Sequence, residues 1–88
     1  MDKIKLKQHA KNLQPVLRIG KNGINENVVI EVEKLLKKRY IIKIKVLNNC
    51  PIEDIKQVIE FVLTRTGSEL VSKVGNTFTI YRRKAKAK

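Results

Sequence analysis

Two glycines, Gly20 and Gly23, enclose Lys21 and Asn22 in a pattern that could hold a phosphate group. Glycines permit backbone angles that are closed to other residues, and they leave no side chain to block a ligand approaching the backbone. Lys21 adds a full positive charge, while Asn22 tolerates left-handed conformations and both donates and accepts hydrogen bonds. The pattern therefore predicts a loop against which a phosphodiester can lie, with a plain tight turn as the alternative.

The residue types needed for catalysis or metal binding are scarce. His9 and Cys50 are the only histidine and cysteine of the chain, so they form neither a tetrahedral zinc site alone nor an internal disulfide. Cys50 has no acid–base set near it in the sequence. The carboxylates of Glu53 and Asp54 suit the positive end of a helix dipole. We expect no enzymatic activity, no cofactor and no metal.

The net charge restricts the class of partner. Twenty Lys or Arg face eight Asp or Glu in 88 residues, which gives a net charge of +12. Such an excess repels itself in a compact fold, and a bound polyanion relieves the repulsion. We therefore expect nucleic acid as the partner, with an anionic membrane surface or a merely solubilising surface as alternatives.

Membrane and secretory features are weak in this sequence. The longest wholly apolar run is three residues, which is too short to span a bilayer, and no apolar stretch follows the first lysines as in a signal peptide. A single cysteine favours a reducing compartment, so we expect a cytoplasmic protein, with the equivalent compartment of an organelle as the alternative. Its length predicts one domain over residues 1–83, and the charged strand faces of that domain predict a monomer. Residues 84–88 alternate Lys and Ala, which predicts a disordered basic tail.

Seven elements must position the loop. Apolar spacing predicts helices over 2–13, 26–38 and 52–66, and strands over 16–19, 41–47, 69–74 and 77–82. Asn25 is a suitable N-cap for the second helix, and Pro51 suits the first turn of the third. The order α-β-α-β-α-β-β predicts a two-layer α/β sandwich (α+β class) with a mixed four-stranded sheet.

The last two strands are predicted to form a hairpin around Gly75–Asn76. A two-residue turn pairs Val71 with Ile80 and Leu70 with Tyr81. If the helices cover the opposite face, Tyr81 lies on an open face with Lys43 and Lys45, where its ring could stack on a base.

The positive charge is uneven along the chain. Residues 1–25 hold six basic and one acidic residue, and residues 76–88 hold five basic and none acidic, whereas 51–75 hold three basic and four acidic. The first helix, the glycine loop and the C-terminus are thus the candidate nucleic-acid face, provided that they lie on one side of the domain. The candidate contacts are Lys7, Lys11, Arg18, Gly20, Lys21, Asn22, Gly23, Arg82, Arg83 and Lys84.

The stretch from Leu13 to Ile24, LQPVLRIGKNGI, resembles the signature of the CRM domain, also called the YhbY-like family. Residues 66–71 and 75–82 are similar to that family's last two strands, so the resemblance spans about residues 3–83. Gln14 departs from the Lys that often precedes the proline, which removes one phosphate contact. A KH domain also clamps RNA with a Gly-x-x-Gly loop, but there the loop joins two helices, whereas a strand is predicted before Gly20.

The resemblance implies a fold like the C-terminal domain of translation initiation factor 3, and RNA binding through the loop and the adjoining basic surface. Single-domain bacterial members associate with precursors of the large ribosomal subunit, and plant organelle members with several copies support group II intron splicing. This chain, with one copy, is more similar to the first type. We expect a non-enzymatic protein that binds ribosomal RNA or its precursor. The alternatives are a stable small ribosomal protein and a general DNA binder.

Overall fold

The computed structural model describes residues 3–52 and 54–82, which form three helices and four strands in the predicted order. The helices are α1 (Lys3–Lys11), α2 (Glu26–Arg39) and α3 (Ile55–Thr66). The strands are β1 (Pro15–Ile19), β2 (Ile41–Val46), β3 (Glu69–Val74) and β4 (Thr77–Tyr81). The predicted element order and the mixed sheet are confirmed.

The sheet has the strand order β1-β2-β4-β3, in which β1 runs parallel to β2 and β4 runs antiparallel to both of its neighbours. The carboxyl ends of β1 and β2 therefore meet at one end of the sheet. The β3–β4 turn reaches the same end, because the Val46 amide donates a hydrogen bond to the Asn76 carbonyl at 2.7 Å. We call this end, formed by Gly20–Gly23, Leu47–Pro51 and Gly75–Asn76, the loop end.

One face of the sheet carries the main core. Alternation along β2 places Ile42, Ile44 and Val46 on this face, where the helices α2 and α3 cover them. The other fully buried members of this core come from every remaining element except α1 and β3: Ile19, Val32, Leu36, Val58, Ile59, Val62, Phe78 and Ile80. Burial of this many branched and aromatic side chains is the chief stabilising term of the fold.

The helix α1 lies on the other face, a position that periodicity did not predict. Its predicted apolar stripe is confirmed, since Leu6 and Ala10 are buried together with Ile41 and Val71. Ile41 begins β2, so α1 covers the part of the face that is distant from the loop end. The part near the loop end stays open.

Tyr81 lies on the predicted face of the sheet, with Lys43 and Lys45, but at the end that α1 covers, so it packs in this smaller core. Its ring meets the Tyr40 ring edge to face, with centroids 6.1 Å apart and planes at 88°. Tyr40 is the left-handed C-cap of α2, with φ of 52°. A non-glycine residue in this conformation costs about 1–2 kcal/mol. The aromatic contact offsets part of that cost.

The β3–β4 hairpin turns at Gly75–Asn76 as predicted, but both predicted pairs, Val71 with Ile80 and Leu70 with Tyr81, are wrong. Leu70 pairs with Ile80 and Glu69 with Tyr81, because the register shifts by one residue between Leu70 and Ser72. The shift has a physical reason in the two cores. It places Leu70 beside Ile80 under α3 and turns Val71 towards α1, whereas the regular register would send Val71 to the main core and Leu70 to the other face.

Two helix starts test the predicted caps. Asn25 caps α2 as expected, and its side chain accepts a hydrogen bond from the Val28 amide at 3.1 Å. The start of α3 is corrected: Asp54 is the N-cap, accepting from the Lys56 amide at 2.9 Å, and Pro51 lies outside the helix. The proline instead belongs to the turn on which the glycine loop rests.

The Gly20–Gly23 loop is a β-turn seated against the Leu47–Pro51 turn. The Gly23 amide donates to the Gly20 carbonyl at 2.9 Å. A Cβ atom on Gly23 would lie 3.2 Å from Pro51 Cγ, and one on Gly20 would lie 3.3 Å from both Asn49 Oδ1 and Leu47 Cδ1. The glycines therefore let the two turns pack together, and the positions of their absent side chains face the protein.

We expect Gly23→Ala to destabilise the fold more than Gly67→Ala does. The two residues have nearly the same φ, +65° and +66°, but a Cβ on Gly67 would meet nothing within 4 Å. Both changes carry the left-handed penalty of about 1–2 kcal/mol, and Gly23→Ala adds about 1 kcal/mol or more from the crowded proline ring. Urea denaturation measures the difference. Adding Pro51→Ala should make the two costs equal, and equal costs with Pro51 present would contradict this packing.

Candidate nucleic-acid interface

The crest of the glycine loop exposes Lys21 and Asn22. Neither residue adopts a left-handed conformation, since the positive φ of the turn belongs to Gly23. The predicted advantage of Asn22 in such a conformation is therefore unused, but its amide remains free to donate and accept at the surface. The loop thus presents one cation and one amide, held in place by the glycines beneath them.

A groove of about 230 Å³ runs beside the loop. Its walls are Leu17–Ile19 of β1, the loop itself and the first turns of α2, including Asn27 and Glu31. β1 is an edge strand, so one side of its backbone is not paired with another strand. Amide groups at such an edge, together with the cations of Arg18 and Lys21, can contact a phosphodiester. Glu31 is the opposing charge in this groove.

A strip of basic side chains crosses the open part of the sheet next to the loop. In the parallel ladder Arg18 lies directly beside Lys45, and both are exposed. Lys43 lies two residues before Lys45, on the same face of β2. Lys11, at the end of α1, borders the same pocket as Lys43. We call Lys11, Arg18, Lys43 and Lys45 the basic strip.

The basic strip answers the question that the charge distribution left open for the first helix and the loop, but not for the C-terminus. Arg18, Lys11 and the loop do lie on neighbouring surfaces of the domain. Lys7 is exposed one helical turn before Lys11, on the side distant from the loop end. Lys43 and Lys45 were not among the predicted contacts. Their alternation with buried isoleucines showed that they share a face, but not that Arg18 borders it.

Arg82, one of the predicted contacts, has partners within the domain. Its Nη1 donates to Glu33 Oε1 at 2.7 Å and to the Thr66 carbonyl at 2.9 Å, so it joins α2 to the end of α3. It follows β4 at the end of the sheet opposite the loop, where its amide donates to the Tyr40 carbonyl. The other two predicted contacts of this segment, Arg83 and Lys84, lie outside the described residues, as does the predicted tail.

Outside this surface, the described part of the chain offers little other chemistry. Residues 3–52 and 54–82 contain no group of three His, Cys, Asp or Glu side chains that could hold a metal ion. Among the same residues, no helix combines the length and apolarity that a bilayer span requires. The acidic residue Glu26 is paired with Arg65, which neutralises a charge at the start of α2.

Comparison with known proteins agrees with this architecture. The Bacillus subtilis protein YqeI, named a probable RNA-binding protein, is 36% identical over 77 residues that cover 88% of this chain and 79% of the relative. A Haemophilus influenzae protein named RNA-binding protein is 32% identical over 83 residues, covering 94% of this chain and 83% of the relative.

A solved structure extends the agreement to the fold. The solution structure of protein SAV1595 from Staphylococcus aureus, described as a candidate RNA-binding protein, matches with a TM-score of 0.78 and 38% identity. The match covers 98% of this chain and 88% of that one. The sequence model of the CRS1/YhbY (CRM) domain matches residues 2–82. With nearly its whole length matched in both sequence and fold, this chain belongs to the CRS1/YhbY (CRM) domain family.

Proposed function

We propose that this protein is a non-enzymatic RNA-binding protein that holds the RNA backbone with the Gly20–Gly23 loop and the basic strip. The observation that carries the proposal is the pairing of Arg18 with Lys45 directly beside the loop. Two exposed cations on adjacent strands repel each other, and an RNA phosphate between them removes that repulsion. The choice of RNA over DNA is supported by the names of the relatives.

The loop and the basic strip are proposed to contact successive parts of the RNA backbone. Lys21 and Asn22 reach a backbone segment at the loop end, and the amides along the outer edge of β1 add donors in the adjoining groove. The basic strip then follows the next phosphates across the open face. Contacts of this kind fix the position of an RNA but read little of its sequence. A folded RNA with a defined backbone path is therefore the best substrate.

Within RNA, ribosomal RNA in a precursor of the large subunit is the partner we propose, and ribosome assembly is the process. The support is the resemblance of residues 3–83 to the single-domain members of the family. Such a factor must leave when the subunit matures. Electrostatic contacts allow this, because salt and competing phosphates weaken them readily.

A sedimentation experiment separates an assembly factor from a stable ribosomal protein. In extracts fractionated on sucrose gradients at low salt, we expect the protein to migrate with precursor particles rather than with mature large subunits. Raising the salt should release it, because counterions replace its phosphate contacts. A protein that stays on mature subunits in high salt would instead be a ribosomal component.

The loop is tested by Lys21→Asp combined with Asn22→Asp. We expect a folded protein, checked by circular dichroism, whose affinity for a folded ribosomal RNA fragment falls tenfold or more, because negative charge at the crest repels the backbone. The matched control is Lys37→Gln combined with Lys38→Glu, which makes the same change in net charge at two exposed lysines in the last turn of α2, at the end of the domain opposite the loop. An equal loss in both proteins would show that only net charge matters. Equal affinity of the wild type for duplex DNA would contradict the choice of RNA.

The two arginines assigned to different roles give opposite expected results. Arg18→Gln should leave stability unchanged, lower RNA affinity, and reduce the slope of log affinity against log salt by about 0.7 for the lost phosphate contact. Arg82→Gln should lower the free energy of unfolding by about 1–3 kcal/mol, because Glu33 and the Thr66 carbonyl lose their charged donor. It should leave the RNA affinity of the folded protein within about twofold of the wild type, apart from the general effect of one charge. Calorimetry and fluorescence anisotropy measure the two quantities. A larger loss of affinity in Arg82→Gln than in Arg18→Gln would overturn the assignment.

A further inference from the structure

A pocket of about 340 Å³ lies between the C-terminal end of α1 and the open part of the sheet. Its floor is formed by Thr79 of β4 and its cross-strand neighbour Ser72 of β3, and Lys43 of β2 borders Thr79 on the other side. Ala10 and Lys11 contribute the helical wall. The volume is at the small end of ligand pockets, so it suits one ring system rather than a peptide or a duplex.

The pocket floor contains an unsatisfied hydroxyl group. Thr79 is fully buried, and its Oγ1 has no hydrogen-bond partner among residues 3–52 and 54–82. A buried hydroxyl without a hydrogen-bond partner lowers the stability of the fold by about 1–3 kcal/mol, and most buried polar groups in proteins have a partner. The other hydroxyl-bearing residues that line the pocket, Ser72 and Thr77, flank it on the same face. Because Thr79 lines the pocket, a polar group of a ligand on the floor can supply the hydrogen-bond partner that this hydroxyl lacks.

The rim of the pocket combines apolar surface with positive charge. Leu13 and Pro15 border one side, and Val74, which is 77% exposed, borders another. A valine this exposed on a strand gains nothing from the fold itself. Lys11 and Lys43 stand at the same rim and belong to the basic strip along which the RNA backbone is proposed to run.

These features together match the chemistry of a single unstacked nucleotide. Its base offers flat apolar faces to Leu13, Pro15 and Val74, and a polar edge to the threonine and serine hydroxyls. Its flanking phosphates fall beside Lys11 and Lys43. Base-edge contacts of this sort are available only where a nucleotide is unpaired, as in a bulge or a loop of folded RNA. We infer that this pocket receives one unpaired nucleotide of the RNA held by the loop and strip, an assignment that rests on the proposed function.

The test uses two synthetic RNA hairpins that differ only in one unpaired uridine inserted in the stem. By fluorescence anisotropy, the wild type should bind the bulged hairpin at least fivefold more tightly than the fully paired one. Thr79→Val should bind both hairpins equally. It should also raise the melting temperature, because the buried hydroxyl without a partner is replaced by a methyl group. A purely structural role for Thr79 would not couple higher stability to lost preference.

Two further proteins separate this pocket from the loop. Lys21→Asp should lower the affinity for both hairpins by the same factor and keep the preference for the bulged hairpin. Thr64→Val, a matched change at an exposed position on α3, should behave as the wild type. If Thr79→Val does not fold, Ser72→Ala takes its place and should reduce the preference at least twofold. If the wild type binds both hairpins with equal affinity, the assignment of an unpaired nucleotide to this pocket is overturned, but the proposed function still stands. If the wild type binds neither hairpin, the proposed function is overturned.

The location is checked by NMR titration of the labelled full chain with uridine 5′-monophosphate and with ribose 5-phosphate. The nucleotide should shift the resonances of Ser72, Thr77 and Thr79, because its base reaches the floor. Ribose 5-phosphate should shift the side-chain resonances of Lys11 and Lys43 and leave those of the three floor residues unchanged. Equal shifts of the floor residues by both compounds would show a simple phosphate site at the rim and would overturn the assignment.

Discussion

The parallel pairing of β1 with β2 is the constraint on which the rest of this surface depends. It brings the carboxyl ends of both strands to one end of the sheet, so the turn after β1 must pack on the turn after β2. The crowding is severe enough that a side chain on Gly23 would lie 3.2 Å from the Pro51 ring. The same pairing places Arg18 beside Lys45. The packing of the glycine loop on its neighbouring turn and the position of Arg18 in the basic strip thus both follow from the parallel pairing of β1 with β2.

The central strand β2 links the two cores and limits how far α1 can extend. Its isoleucines at alternate positions fill the main core, while Ile41 alone turns to the smaller core under α1. From Lys43 onward the outward positions are basic and cannot be buried beneath a helix without great cost. The change from Ile41 to Lys43 and Lys45 therefore sets where the cover by α1 ends and where the open face begins. The pocket lies at that boundary.

The sequence was sufficient for features that depend on neighbours along the chain. The element order, the N-cap at Asn25 and the glycine turn all follow from local spacing and residue type. Features that depend on distant partners were missed. Arg82 was expected at the surface because Glu33, its partner, is 49 residues away in sequence. The shifted register at Val71 arises from competition between two cores, and periodicity shows that a helix has an apolar face without showing which face of the sheet it covers.

The same limit explains why the candidate site was predicted only in part. Lys21 and Asn22 belong to a contiguous motif and could be found from it, whereas Lys43 and Lys45 become neighbours of Arg18 only through the sheet. The Thr79 hydroxyl is harder still to identify from the sequence, because threonine is common in β-strands without any role in binding. Its interest comes from being fully buried without a partner, at the floor of a pocket whose rim is cationic. A valine would fill that position with less loss of stability, whereas a threonine gains from its hydroxyl if a ligand completes the hydrogen bonding, as the unpaired nucleotide assigned to this pocket would.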